Sequence, residues 1–429
     1  MHIPDGYLSP VFSLSTGIVT VPVWARAVKR VQSVVNHRIV PLLAIFAALS
    51  FTVMMFNVPV PGGTTAHAVG GTLIAVVLGP WAAVLCVSTA LIIQALFFGD
   101  GGILAIFTNC LNMGIILPFV GYYCYKWLAG KSTLLSARRV WAAGIGAYIG
   151  ISTAAFAVGI ELGLQPLLFS QHGHPLYSPY PFAIAIPAML LSHMLGASLV
   201  EALITALGLA YIQKNYPFYL TSLRHIVTGS DIAEGQAGHL PLWRFFAFGT
   251  IGIIVALLIA GFVTGGERLD HLFGADWSTV NWTDVGVMLI ITLGIAIVLI
   301  PLVWFVMPKS LRKAATAFVA VAILTPLGLI APGIAFGEGS PDDVKKAFGY
   351  IPQGLQQLSG IFSAPFDGYN VKLPFFDDPN APLWHQGIGY EISGVLGILL
   401  IGAIVFGIAV LLHRWARSSQ DQPSAGTHT

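Results

Sequence analysis

Long stretches almost free of charge constrain this chain more than any other feature. Apolar runs occupy residues 39–58, 81–98, 103–125, 140–160, 181–212, 245–263, 285–307, 314–335 and 392–412. About 20 such residues, as a helix, cross the hydrocarbon core of a bilayer. Inside it a backbone must satisfy its own hydrogen bonds, which selects helices. The runs therefore predict an all-α integral membrane protein. Composition agrees, with 9% charged residues where soluble domains carry about a quarter. Cys86, Cys110 and Cys124 all fall inside apolar runs. Their number and spacing suit neither a disulfide framework nor a zinc site, so they read as small core residues.

Two shorter runs, 11–25 and 66–79, fall below the spanning length, and charge placement bears on them. Positive residues collect in short cytoplasmic loops. Here they group at 26–38, 126–139, 214–244, 309–313 and 414–417, which leaves only Arg268, Lys345, Lys346 and Lys372 elsewhere. These groups share one side only if 66–79 and 81–98 cross separately, with Gly79-Pro80 as the hairpin between them. Charge counting does not decide whether 11–25 crosses. Taking it as a span gives about eleven transmembrane helices, with Met1 outside and the tail in the cytoplasm. The net charge of +2 says nothing about partners, since where the charges lie matters more than their sum, and no nucleic-acid partner is expected.

With that topology three outer stretches come from the first third of the chain: "MHIPDGYLSP" (1–10), "NVPVPGGTTAH" (57–67) and "FFGDGGILAIFTNCLNMG" (97–114). The first does not open like a secretory signal, because Pro4-Asp5-Gly6 makes a turn where an apolar helix would run. We expect Met1 to be retained as the true N-terminus, since the bulky His2 discourages its removal. A free α-amine, the His2 backbone nitrogen and the His2 Nδ1 can then bind one metal through a five- and a six-membered chelate ring. That places three nitrogens in a plane, and His67, delivered by the rigid Pro59–Gly63 turn, is the candidate fourth. Square-planar nitrogen sites suit Ni(II) or Cu(II), and low-spin Co(II) accepts the same field. Asp5, Asp100, Asn109 and Asn112 lie on the same stretches. They read either as groups that orient the ligands or as polar side chains capping their own loops.

These three stretches together resemble the CbiM/NikM family, the substrate-capture (S) components of energy-coupling factor (ECF) transporters for cobalt and nickel. The likeness covers 1–212 and implies a core of about seven helices. It also implies metal held by the Met1 amine, the His2 backbone and imidazole nitrogens, and His67. Where the family commonly reads Leu-Thr-Ala-Leu-Gly-Ala-Asn, this chain has "ILAIFTN" (103–109), so Phe107 replaces a glycine near the expected site. "AILTPLGLIAPGIAFGE" (322–338) and "GYEISGVLGILLIGAIVFG" (389–407) resemble the companion subunit CbiN/NikN, two spans around an extracytoplasmic loop, here 336–391. The expected layout is a capture core over 1–215, a connecting region over 216–310, a companion-like module over 311–415 and a tail over 416–429.

The resemblance implies a prokaryotic cytoplasmic membrane, a separate membrane coupling (T) subunit and separate ATPase subunits. It implies no permanently bound cofactor, Ni(II) or Co(II) being the substrate. "GKST" (130–133) has the ending of a phosphate-binding loop but Tyr125 where its first glycine belongs, so ATP hydrolysis is not expected in this chain. Glu201, alone in its run, faces either a membrane partner or a core hydrogen bond; His193 shares its helix. "HGH" (172–174) could gather metal or do nothing. Gly146 and Gly150 permit close helix packing. Two rival readings are a self-sufficient secondary transporter or channel, which would show inverted repeats, and a membrane metalloenzyme, which would need an open metal position beside an acid or base.

Overall fold

The computed structural model describes residues 1–32, 39–217, 220, 254–274, 276–309, 312–371, 378 and 381–420. Arg38, Arg224, Arg244, Lys372, the 245–253 part of one apolar run and tail residues 421–429 lie outside the described residues. The helices are α1 (Pro10–Gln32), α2 (Ile39–Met54), α3 (Gly71–Leu78), α4 (Pro80–Phe98), α5 (Ile106–Ala129), α6 (Ala137–Leu168) and α7 (Phe182–Asn215). There follow α8 (Ile254–Thr264), α9 (Glu267–Phe273), α10 (Trp282–Val306), α11 (Arg312–Ile330), α12 (Pro341–Phe348), α13 (Gln353–Leu358) and α14 (Leu383–Gln420). Two short hairpins complete the described elements: β1 (Asn57–Val60) with β2 (Thr64–His67), and Ser170–Gln171 with His174–Pro175.

Each apolar run is helical in whole or in part, and the protein is all-α. Among the described residues, however, eight helices rather than eleven are long and apolar enough to cross a membrane. The 11–25 run belongs to α1, which at 23 residues does reach that length. The 66–79 run does not form one spanning helix. Its first residues pair as β2 against β1, Gly70 turns the chain at φ 73°, and only the eight residues of α3 are helical. At 1.5 Å per residue α3 is about 12 Å long, less than half of a ~30 Å core. Gly79, at φ 88°, breaks the chain before Pro80 starts α4.

The N-terminal half is tightly built. On α6, a Cβ added to Gly146 would lie 2.6 Å from the Gly121 carbonyl oxygen of α5, and one on Gly150 2.7 Å from that of Leu117. The small residues thus serve packing within this chain. The most apolar window of α4 is 67% buried, whereas that of α10 is only 6% buried and faces outward. The N-terminal decapeptide is the exception to the fraying of chain ends. Met1, His2, Ile3, Tyr7 and Leu8 are buried in the main core.

Candidate metal centre

The decapeptide is held by hydrogen bonds to its backbone. Asn109 grips Ile3 twice, its Oδ1 accepting from the Ile3 amide at 2.9 Å and its Nδ2 donating to the Ile3 carbonyl at 3.1 Å. The Gly102 amide donates to the same carbonyl at 2.9 Å. Asp5 accepts from the amides of Ile103 at 3.1 Å and Leu104 at 2.8 Å. Burial pushes the Asp5 carboxyl up from its ordinary range, and these backbone bonds oppose that. Gly101 lies between the two stretches at φ 86°, where a Cβ would sit 3.0 Å from Asn109 Nδ2 and 3.3 Å from His2 Cδ2. Only glycine meets both demands.

This clamp brings Met1, His2 and His67 together. His67 Nε2 lies 3.5 Å from the terminal amine and 3.1 Å from His2 Nδ1. The outer nitrogens find partners of their own. His67 Nδ1 is 3.1 Å from the Ala68 carbonyl, and His2 Nε2 is 3.3 Å from Gln94 Oε1. Since both partners are acceptors, both nitrogens carry hydrogens. The lone pairs of His67 Nε2 and His2 Nδ1 then turn toward each other. Asp100 Oδ1 adds a third acceptor, 3.1 Å from His2 Nδ1. These acceptors meet beside the Met1 ammonium, 3.5 Å from His67 Nε2, so a cationic group already faces the cluster where a metal ion could bind. Burial, with the amine and His2 close by, also drives the His67 pKa well below its ordinary 6.5, so the ring is neutral and ready to coordinate.

Behind His67 lies Glu201. It is fully buried, accepting from the amides of Val69 at 2.8 Å, Gly70 at 2.7 Å and Thr72 at 3.3 Å. The core-bond alternative describes it. Its carboxylate meets the amides that lead into α3 and that of Thr72 inside it, where a helix end favours negative charge. Asn112 does not reach the site; its Nδ2 donates to buried Glu161 at 2.6 Å. Phe107 packs on α1, its ring 5.8 Å from that of Trp24, and leaves the metal loop alone. His172 and His174 are exposed on their hairpin.

Three residues escaped the sequence reading. Gln94 sits in a π-helical turn at the end of α4, donating through Nε2 to Asp100 Oδ2 at 3.2 Å and to the Tyr369 hydroxyl at 2.8 Å. As a lone amide in an apolar run it carried a signal. Tyr369 donates to Asp100 Oδ2 at 2.6 Å and carried none. Glu338 lies 2.9 Å from the Met1 amine, and its carboxylate and the His2 and His67 nitrogens lie within 4.8 Å of one another.

Residues 336–371 close over this loop. The Tyr7 hydroxyl donates to the Gly339 carbonyl at 2.8 Å, and the Phe366 amide to that of Phe97 at 2.8 Å. Gly6, at φ 91°, lies so close to α13 that a Cβ would fall 2.8 Å from Leu355 Cα. Tyr180 stacks on Tyr7 with ring centroids 6.3 Å apart, and Phe336 lies 4.6 Å from Tyr180.

The family described as "CbiM: Cobalt uptake substrate-specific transmembrane region" matches residues 2–218. A "Fused nickel transport protein NikMN" of Rhodobacter capsulatus is 36% identical over 404 residues, covering 94% of this chain and 95% of that one. A "Probable fused nickel transport protein LarMN" of Lactiplantibacillus plantarum is 50% identical over 224 residues, covering 51% and 66%. The crystal structure of a truncated transition metal transporter is 51% identical, covers 50% of this chain and 99% of its own, and superposes with a TM-score of 0.47. The chain belongs to the CbiM/NikM family, as a CbiM/NikM region with a NikN-like part fused to it.

Proposed function

We propose that this protein captures divalent nickel or cobalt at the extracytoplasmic face and delivers it for ATP-driven uptake by an ECF-type transporter. The observation that carries the reading is His67 Nε2 standing within 3.5 Å of the Met1 amine and 3.1 Å of His2 Nδ1 in a buried pocket. In the two-ring chelate the amine and the imidazole of His2 lie across the plane from each other, with the amide nitrogen between them. A donor facing both closes the square opposite the amide, and that is the place of His67. The ion is the cargo, and coordinating it releases one proton from the ammonium and one from the amide.

In this reading residues 1–215 form the capture core, 311–415 a companion-like module whose 336–391 loop covers the site, and 216–310 a connection. Met1 lies outside and the tail inside. A membrane coupling subunit and ATPase subunits, all on other chains, supply the power stroke. The relatives' names support nickel and cobalt as cargo.

The test is Ni(II) titration of the purified full chain with an authentic N-terminus, against His2→Ala and an N-terminally extended form. The expected result is a yellow square-planar nickel band in the native chain, with affinity lost by more than about 100-fold in both variants, since even outer partners cost 10–100-fold. Equal binding by the extended form would remove the amine from the ligand set and sink this reading.

A further inference from the structure

All proposed metal donors lie at or before His67, yet the Met1 amine touches a residue 337 positions further along. We infer that Glu338, carried by the fused C-terminal part, is a positioning residue of the metal site, aiming the terminal amine and balancing the charge of the bound ion. The inference rests on the metal-capture reading and deepens it.

Position comes first. The Glu338 amide donates to the Ala335 carbonyl at 3.1 Å, closing a turn. On its other side, Gly339 is tied to Tyr7 by the 2.8 Å bond from the hydroxyl. Ser340 then starts α12 with a reciprocal capping box to Asp343. The carboxylate is thus anchored on both flanks, as a supporting group must be to set a ligand's direction. One amine hydrogen held by Glu338 at 2.9 Å leaves the amine's remaining directions for the plane shared with His67, 3.5 Å away.

Charge comes second. Met1 is only 2% exposed, and an uncompensated buried charge is costly. Without metal, ammonium and carboxylate form a neutral pair. With a divalent ion bound, the deprotonated amide cancels one positive charge, and Glu338, with Asp100 beside His2, faces the other. Glu338 thus serves both states. Four in-plane nitrogens already satisfy Ni(II), so Glu338 acts beside the metal rather than on it.

The test compares the native chain with Glu338→Gln, which keeps the shape and removes the charge, and Glu338→Asp, which keeps the charge. Ni(II) alone is the probe, with affinity and optical spectrum read together. Glu338→Gln should weaken binding 10–100-fold with the yellow band retained, and Glu338→Asp should recover most of the loss. Native affinity in Glu338→Gln, or a Glu338→Asp variant as weak as Glu338→Gln, would overturn the inference. So would a paramagnetic native complex that turns yellow in Glu338→Gln, since the carboxylate would then be on the metal. His2→Ala separates the two levels. If it binds nickel as the native chain does, the capture reading itself fails; if it loses binding while Glu338→Gln does not, only the role of Glu338 fails.

Discussion

Asn109 is the residue on which the N-terminal loop hangs. Truncating it to Ala leaves the buried Ile3 amide without its partner and the Ile3 carbonyl with only the Gly102 bond. The expected cost is about 1–3 kcal/mol, seen as a lower unfolding temperature in detergent together with weaker nickel binding. His67 makes a second prediction. Its folded pKa is depressed below 6.5, so below that pH the unfolded chain takes up a proton that the folded chain refuses. The contribution of His67 is therefore fully present above about pH 6.5 and is lost as pH falls further. Thermal unfolding at about pH 5.5 against pH 7.5 should show this slope in the metal-free native chain and a shallower one in His67→Gln. Chelate chemistry marks Met1 and His2 as candidate ligands in the sequence, because the ring sizes follow from covalent structure alone, and His67 is singled out by the turn before it and by the family resemblance. Their supports were legible only where the chain is local. Asp5 and Asn109 sit on the stretches that fold together, whereas nothing local marks Tyr369 as the partner of Asp100 from 269 positions away.

At the scale of elements, α3 and the β1–β2 hairpin form one device. The hairpin presents His67, and four residues later the chain enters a helix whose entry amides, Val69, Gly70 and Thr72, are taken by Glu201. Replacing Glu201 with Gln keeps one oxygen but turns an NH2 group toward an amide donor. We expect a loss of about 1–3 kcal/mol and a fall in nickel affinity, because His67 moves with the loop. Unchanged affinity in a destabilised Glu201→Gln variant would detach the cap from the metal site. The apolar runs located nearly every helix, since a bilayer-spanning segment must be apolar along its length. They misjudged 66–79, because an eight-residue helix fully buried among its neighbours is as apolar as a crossing one. Hydropathy registers burial and lipid contact alike.

At the scale of the molecule, the fused C-terminal part closes over the N-terminal loop through Tyr7, Gly6, Asp100 and Met1. Tyr369→Phe removes one hydroxyl and leaves Asp100 with the Gln94 bond and His2. The expected outcome is faster nickel release, roughly 3–10-fold for the about 1 kcal/mol of one hydrogen bond, with no change in the square-planar spectrum. Deleting 339–385 removes the cover beyond Glu338. Unchanged nickel uptake in cells carrying that deletion would defeat the view that the loop governs loading or release. The outward-facing α10 belongs to this scale too, since lipid or another chain must cover a helix buried over only 6% of its most apolar window.

The pairing of Met1 with Glu338 also has a consequence in time. The ribosome adds Glu338 to the chain 337 residues after Met1. At about 5–20 residues per second, the N-terminus waits tens of seconds before it can be closed in. During that interval the nascent chain presents an amine and two imidazoles without their cover. Prematurely ended chains never acquire it.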